Sequence, residues 1–390
     1  MYRLVQRRGI IGLFCLLFVA SSVVPGWAQK DNRFEVSKNL DIFNSLLKEV
    51  EMFYVDSVDV DKTVQRGIEA MLAGLDPYTE YYPEQKTEEL SLMTTGEYGG
   101  IGSLIRQRNN EGGVMIAEPT EGMPADLAGL KPGDLILAID TIDVSKATNS
   151  RVSELLKGVP NTKMVLTIQR PGEKKPRKFE ITRKQITTPQ VTYYGVKNDS
   201  IGYIYLKAFT IKSAQEVKEA FLDLKKNHNI KSLVLDLRGN GGGVLEGAVQ
   251  IVGMFVPKGS EVLSTKGKIK QWDRTYRTST EPLDTVMPLA ILINGGTASA
   301  AEIVSGSLQD MDRAVLVGQR SFGKGLVQAP RDLPYNGKVK ITMSKYYIPS
   351  GRCIQQIDYS HRKEDGSVAA IPDSLTSVFY TSKKRPVRDG

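Results

Sequence analysis

Three stretches carry residue types that could do chemistry. "VGQRSFGKGLVQ" sets Lys324 between Gly323 and Gly325, just after the apolar run "RAVLV". It misses a phosphate-binding P-loop by one residue, because Gly325 stands where a Ser or Thr should ligate magnesium. The following "LVQAPRDLP" is β-branched and interrupted by proline, so no helix opens there. A lysine has another use: burial disfavours its ammonium form, and the neutral amine can then act as a base. "ILINGGTASAAEIVSG" reads as strand, sharp turn and helix, with Ser299 at the helix start. That is the carboxyl end of a strand, where open α/β sheets put their sites. The geometry is like a nucleophile elbow without the G-x-S-x-G spelling, although an N-cap serine would look the same. The third stretch, "DLRGNGGGVLEG", also leads from a strand into a helix. Gly239 and Gly241 fit a dinucleotide fingerprint, but Val244 breaks its third position. What remains is a turn whose N–H groups can meet an anion or an oxyanion.

Other chemistries lack their parts. A serine nucleophile needs a base, and the chain has only two histidines. His228 ends a helix among lysines and His361 lies in a polar tail, so neither is placed for a Ser-His-Asp triad. There is no H-E-x-x-H and no Cys/His cluster, so no metal and no cofactor is expected. Ser321 with Lys324, and Ser45 with Lys48, each spell S-x-x-K. Gly323 argues against the helical turn that pairing needs, and neither S-D-N nor K-T-G follows.

The elements that must position these residues follow from composition and periodicity. The 390 residues are 41% hydrophobic and 25% charged, an ordinary globular make-up long enough for two or three domains. The net charge of +8 lies partly in "RPGEKKPRK" and the C-terminal end, without a recognition motif, so nucleic acid is not an expected partner. "MYRLVQRR", an apolar stretch and "PGWAQK" make residues 1–28 a secretory leader, which implies export. An uncleaved N-terminal membrane anchor is the alternative. Cleavage would leave Cys353 alone, without an internal disulfide. Helical periodicity marks residues 33–56 and a second helix from about Asp61, with "LDPYTEYYPEQ" as a Pro-punctuated loop. Residues 200–348 alternate strand and helix, and continuous apolar strands such as "SLVLDL" and "LAILIN" suit a parallel sheet covered on both faces.

Residues 97–187 are a compact β-rich unit: "GGVMIAEP", "GDLILAID" and "KMVLTIQR", with the helix "NSRVSELLKG" between the last two. With "GMPADLAGLKPGDLILAIDTIDV", the unit resembles a PDZ domain. The resemblance implies that Gly100, Ile101 and Gly102 form the turn that binds a peptide's C-terminal carboxylate, the peptide adding as a strand.

The ordered runs "LDLRGNGGG", "GGTASAAEI", "GQRSFGKGLVQ" and "KYYIPSGRCIQ", preceded by "GLDPYTEYY", resemble the carboxyl-terminal processing peptidases, or tail-specific proteases, over residues ~35–357. The resemblance implies an α/β fold: a crotonase-like β/α protease core with an inserted PDZ domain and an N-terminal helical segment. It divides the chain into a leader (1–28), a helical region (29–96), the PDZ domain (97–187), the protease core (188–357) and a C-terminal tail (358–390). Carried over, Ser299 is the nucleophile, Lys324 the general base and Gln328 the residue that orients the lysine. The oxyanion hole would use the N–H of Ala300 with that of Gly242 or Gly243. The implied activity is an exported serine endopeptidase of the periplasm or cell envelope, acting on protein or peptide chains with a free C-terminus. A homo-oligomer is left open, and a catalytically silent PDZ scaffold is the alternative. The chain ends at "KRPVRDG", short of the family's usual continuation; a truncation and a short natural form are both open, which leaves the tail's packing undecided.

Overall fold

The computed structural model describes residues 33–108 and 112–389; the expected leader lies outside them. The chain divides into two units, 1–68 and 69–390. In the first, the helix Arg33–Phe53 buries no residue, and Leu40 and Phe43 of its apolar stripe are exposed. Among the described residues no helix is long and apolar enough to cross a membrane.

The second unit holds the sheets. Strands Ile201–Leu206, Ser232–Asp236, Leu289–Ile293 and Val315–Gly318 run parallel in that order. Val191–Lys197 pairs antiparallel on the outer edge, through a turn at Asn198 and Asp199, both with positive φ. Helices Ser213–Asn227, Leu245–Gly253 and Ala300–Asp310 carry the crossovers. The strands' apolar runs bury Leu233, Leu235 and Ile291 against Val217, Phe221, Ile251 and Val304 of these helices. This is the buried parallel sheet that the runs require.

A second sheet was not apparent from the sequence. It orders Glu80–Tyr82, Lys338–Tyr347, Glu261–Gly267 and Arg274–Arg277, with Leu326–Asp332 also pairing Lys338–Tyr347. "EYY", expected within a loop, is therefore an edge strand of this sheet, and the helical region 29–96 lends it an element. The helix Ala300–Asp310 is nearly all buried: Ser307 Oγ donates to Val262 O at 2.9 Å, and a Cβ on Gly306 would meet Ile348 Cδ1 at 2.7 Å. The tail is held down as well. Arg385 Nε donates to Asp312 at 2.6 Å, and Arg352 Nη1 donates to Arg388 O at 3.0 Å.

The PDZ-like sheet orders Ser103–Gln107, Val114–Pro119, Leu135–Ile139, Lys163–Gln169 and Arg177–Thr182. Glu97–Gly100 pairs with Lys184–Thr187, so entry and exit lie side by side, as an inserted unit needs.

Candidate active site

Two strand ends build the serine's seat. Past Leu289–Ile293, Asn294 Oδ1 accepts the N–H groups of Gly239 and Gly296 at 2.9 and 3.0 Å, and Thr297 Oγ1 donates to Leu237 O at 2.8 Å. The turn bearing Ser299 is thereby tied to the glycine turn after Ser232–Asp236. Ser299 has φ 55° and ψ −117°, outside the regions a side chain ordinarily adopts. Such a conformation costs on the order of 1–3 kcal/mol and persists only where its surroundings enforce it.

The glycine turn sorts the oxyanion candidates. A Cβ on Gly242, φ +94°, would stand 2.7 Å from Ser299 Cβ and 2.9 Å from Ala300 N, so only glycine lets this backbone approach the serine. Ala300 opens the helix, where first-turn N–H groups lack intrahelical partners. Gly242's own N–H, however, donates to Asn240 Oδ1 at 2.9 Å, and its carbonyl accepts from Phe209 N. Of the two glycines named from the sequence, Gly242 is thus spoken for as a donor and Gly243 is the one left.

Lys324 lies in the passage from the parallel sheet to the second sheet, between Val315–Gly318 and Leu326–Asp332. Its flanking glycines are packing requirements. A Cβ on Gly323 would meet Gln356 Cβ at 2.5 Å, and one on Gly325 would meet Gln355 N at 2.8 Å. Gly325 N donates to Gln355 Oε1 and Gln356 N to Gly323 O, which clamps the loop onto the segment after Cys353. Burial pushes the Lys324 ammonium down to about 8, aided by Lys340 and opposed by Asp76, Glu80 and Glu302. A tenth or so of such an amine is neutral at pH 7, against less than about a thousandth for a solvated lysine. Nζ lies 4.3 Å from the centroid of the Tyr78 ring.

One carboxylate ties serine and lysine together. Glu302, 2% exposed, accepts the Ser299 N–H at 2.7 Å and the Lys324 N–H at 2.9 Å on Oε2, and the Gly323 N–H at 2.7 Å on Oε1. The Ser321 hydroxyl is a further donor to it, and burial raises its pKa against these bonds. Across from it the Tyr346 hydroxyl donates to Lys324 O and stands 3.2 Å from Ser299 O. Sequence reading missed both residues. The signal for Glu302 was present in "SAAE", the S-x-x-E of a helix start. Tyr346 left none.

Gln328 is not on the amine. Its Nε2 donates to Thr342 Oγ1 at 3.1 Å, on the strand that Leu326–Asp332 pairs with. No hydrogen bond joins Gln328 to Lys324. Ser321 serves Glu302 from a non-helical loop, which leaves the S-x-x-K pairing without its helical turn. His228 caps its helix and is half-exposed, and His361 is exposed.

In the PDZ-like unit, Ser103–Gln107 is an edge strand, and a groove runs beside it against the helix Asn149–Leu156. Gly100, Ile101 and Gly102 line one end with Tyr98 and Lys157. Ile101 O and Gly102 O accept from Ala125 N and Thr120 N, which leaves the turn's carbonyls occupied and fixes its shape. Gly102 takes φ +65°, and a Cβ there would meet Met123 Cβ at 2.4 Å.

Peptidase family S41 matches residues 200–360, and a PDZ domain matches 115–170. A "Carboxy-terminal-processing protease" of Bartonella bacilliformis is 36% identical over 345 residues, 88% of this chain and 77% of that protein. A "Probable CtpA-like serine protease" of Staphylococcus aureus is 33% identical over 320 residues, 81% of this chain and 62% of that one. Among solved structures, a photosystem II D1 C-terminal processing protease aligns with TM-score 0.44 at 29% identity, over 79% of this chain and 82% of that one.

Proposed function

The chain belongs to peptidase family S41, among the carboxy-terminal-processing serine proteases, and from that premise we infer how its residues divide the work. A substrate's C-terminus enters the PDZ groove. Its carboxylate meets the turn at Gly100–Gly102, and its backbone extends the edge strand Ser103–Gln107. In the core, neutral Lys324 takes the Ser299 hydroxyl proton as Oγ attacks the scissile carbonyl. The oxyanion is met by the N–H groups of Ala300 and Gly243, aimed where charge develops. The Lys324 ammonium then protonates the leaving amine, and water, deprotonated by the same lysine, releases the acyl group. Gln328 acts beside the lysine through Thr342 rather than by bonding it in the resting state.

The observation carrying this reading is the Glu302 carboxylate, which holds the strained serine and the depressed-pKa lysine on a single side chain. Export to the periplasm or cell envelope is supported by the leader's composition. An N-terminal anchor rests on the same leader. A homo-oligomer finds support in the exposed apolar stripe of Arg33–Phe53. The test is digestion of an unfolded protein by wild type, Ser299→Ala and Lys324→Ala. Each substitution should reduce turnover by roughly 10³-fold or more while the fold is kept. Wild-type turnover by Ser299→Ala would end the assignment.

A further inference from the structure

Segments far apart in the chain meet over the Lys324 amine. The "DPYT" loop is turned by Asp76, which is buried. Its Oδ1 accepts the N–H groups of Tyr78 and Thr79, each at 2.8 Å, and its Oδ2 accepts the Thr79 hydroxyl at 3.0 Å. Three bonds to one carboxylate fix the backbone at Tyr78, and with it the direction of the ring. That ring has its centroid 4.3 Å from Lys324 Nζ. Its hydroxyl is 3.3 Å from that of Tyr359, and the two rings pack edge to face at 5.9 Å. Thr79 in turn accepts the Thr342 N–H at 3.1 Å, and Thr342 holds Gln328. The loop before the PDZ unit therefore touches both the lysine and the neighbour of Gln328.

We propose that Tyr78 is a positioning residue for the general base: its ring seats the Lys324 amine and keeps water from it, while Asp76 and Tyr359 hold the ring. This rests on the reading of Lys324 as the base. The ring acts in two opposed ways. Its face attracts the ammonium, which favours the charged form, and its area excludes water, which favours the neutral one. The charged groups around the amine are Asp76 from the loop, Glu80 from the strand Glu80–Tyr82, Glu302 from the buried helix and Lys340 from Lys338–Tyr347. Three of these four favour the charged form, yet the amine titrates near 8 because burial outweighs them. The ring is part of that burial. Removing it admits water, and the amine moves back toward an ordinary lysine.

The experiment uses the full mature chain. The pH dependence of kcat/KM is measured on a peptide for wild type, Tyr78→Phe and Tyr78→Ala. In a Ser299→Ala background, the rate at which an amine-directed reagent labels Lys324 is followed against pH by mass spectrometry, which needs no proteolysis. Tyr78→Phe, which keeps the ring, should retain the wild-type midpoint in both readouts. Tyr78→Ala should raise it by about one unit or more, with a roughly tenfold fall in the neutral fraction at pH 7. Where alanine does not fold, Tyr78→Leu takes its place; a midpoint raised by half a unit or more sustains the proposal, and a smaller or a downward shift overturns it. A midpoint at the wild-type value in the ring-less variant overturns it. Lys324→Ala separates the two readings. If it cleaves, the base assignment has failed. If it is dead while the ring-less midpoint stays put, only the role of Tyr78 has failed.

Discussion

Consider Glu302→Gln, a near-isosteric change in a side chain that is almost wholly buried. The carboxylate accepts three backbone N–H groups, from Ser299, Lys324 and Gly323, besides the Ser321 hydroxyl. An amide keeps one acceptor oxygen. With that oxygen at the Oε2 position it retains Ser299 and Lys324 and sets its NH2 against the Gly323 N–H. In the other orientation it loses two partners. Hydrogen bonds to a charged group contribute about 1.5–3 kcal/mol each, and a buried donor left unpaired costs about 1–3 kcal/mol. The better orientation, which loses one such bond and leaves the Gly323 N–H unpaired, therefore costs about 2.5–6 kcal/mol in total. Part falls on folding and part on the rate, because the bond to Ser299 helps hold its backbone at φ 55°. We expect urea unfolding to show about 2 kcal/mol less stability at unchanged slope, and kcat/KM to fall about 10²-fold with KM nearly constant. A variant matching wild type in both would refute the claim that this carboxylate holds the site together. Protonation should mimic the substitution. Since burial raises the Glu302 pKa, the fall in activity on acidification should steepen beyond what Lys324 protonation alone gives, and at a higher pH than an ordinary glutamate would set.

Three more expectations can be checked directly. Lys324 is protonated in the unfolded chain up to about 10.5 but only to about 8 in the fold, so stability should rise between those pH values by at most about 3 kcal/mol, and Lys324→Met should lose that rise in urea titrations at pH 7, 8.5 and 10. Gly242→Ala places a methyl 2.7 Å from Ser299 Cβ at φ +94°, so kcat should drop roughly 10²-fold in peptide assays while peptide binding to the PDZ unit, read by calorimetry, is kept. A peptide with an amidated C-terminus should lose about ten- to hundredfold in kcat/KM below saturation, and Gly102→Ala, whose methyl would meet Met123, should erase the difference between acid and amide.

The parallel sheet was legible because its signal is local. Continuous apolar runs announced Ser232–Asp236 and Leu289–Ile293, and the turns after them announced glycine and serine at strand ends. The second sheet was not, since its strands mix polar residues into their runs and the pairings that set its order join distant stretches of chain. Glu80 lies opposite Lys340, and Thr265 opposite Tyr346. No window of sequence contains such a pair. The same difference divides the site. Ser299, Ala300 and Glu302 lie within one helix start and could be read together, whereas the surroundings of Lys324 come from Asp76, Tyr78, Glu80, Glu302 and Lys340 on separate segments.

That separation bears on how the lysine proposed as the base is prepared. A glycine-flanked loop fixes the Lys324 backbone but leaves four methylenes of side chain to be directed. The strained serine needs only its own turn and one carboxylate, all encoded within a few residues. The lysine needs a dry cavity, which no local sequence can supply, because dryness depends on elements from both ends of the second unit closing over it. In this chain the closing elements are the Tyr78 loop, the strand Lys338–Tyr347 and the segment at Tyr359. Helix start and lysine loop then share one side chain: Glu302 accepts the Ser299 N–H as a capping residue does, and by accepting the Lys324 N–H on the same oxygen it ties the helix start's geometry to the lysine loop.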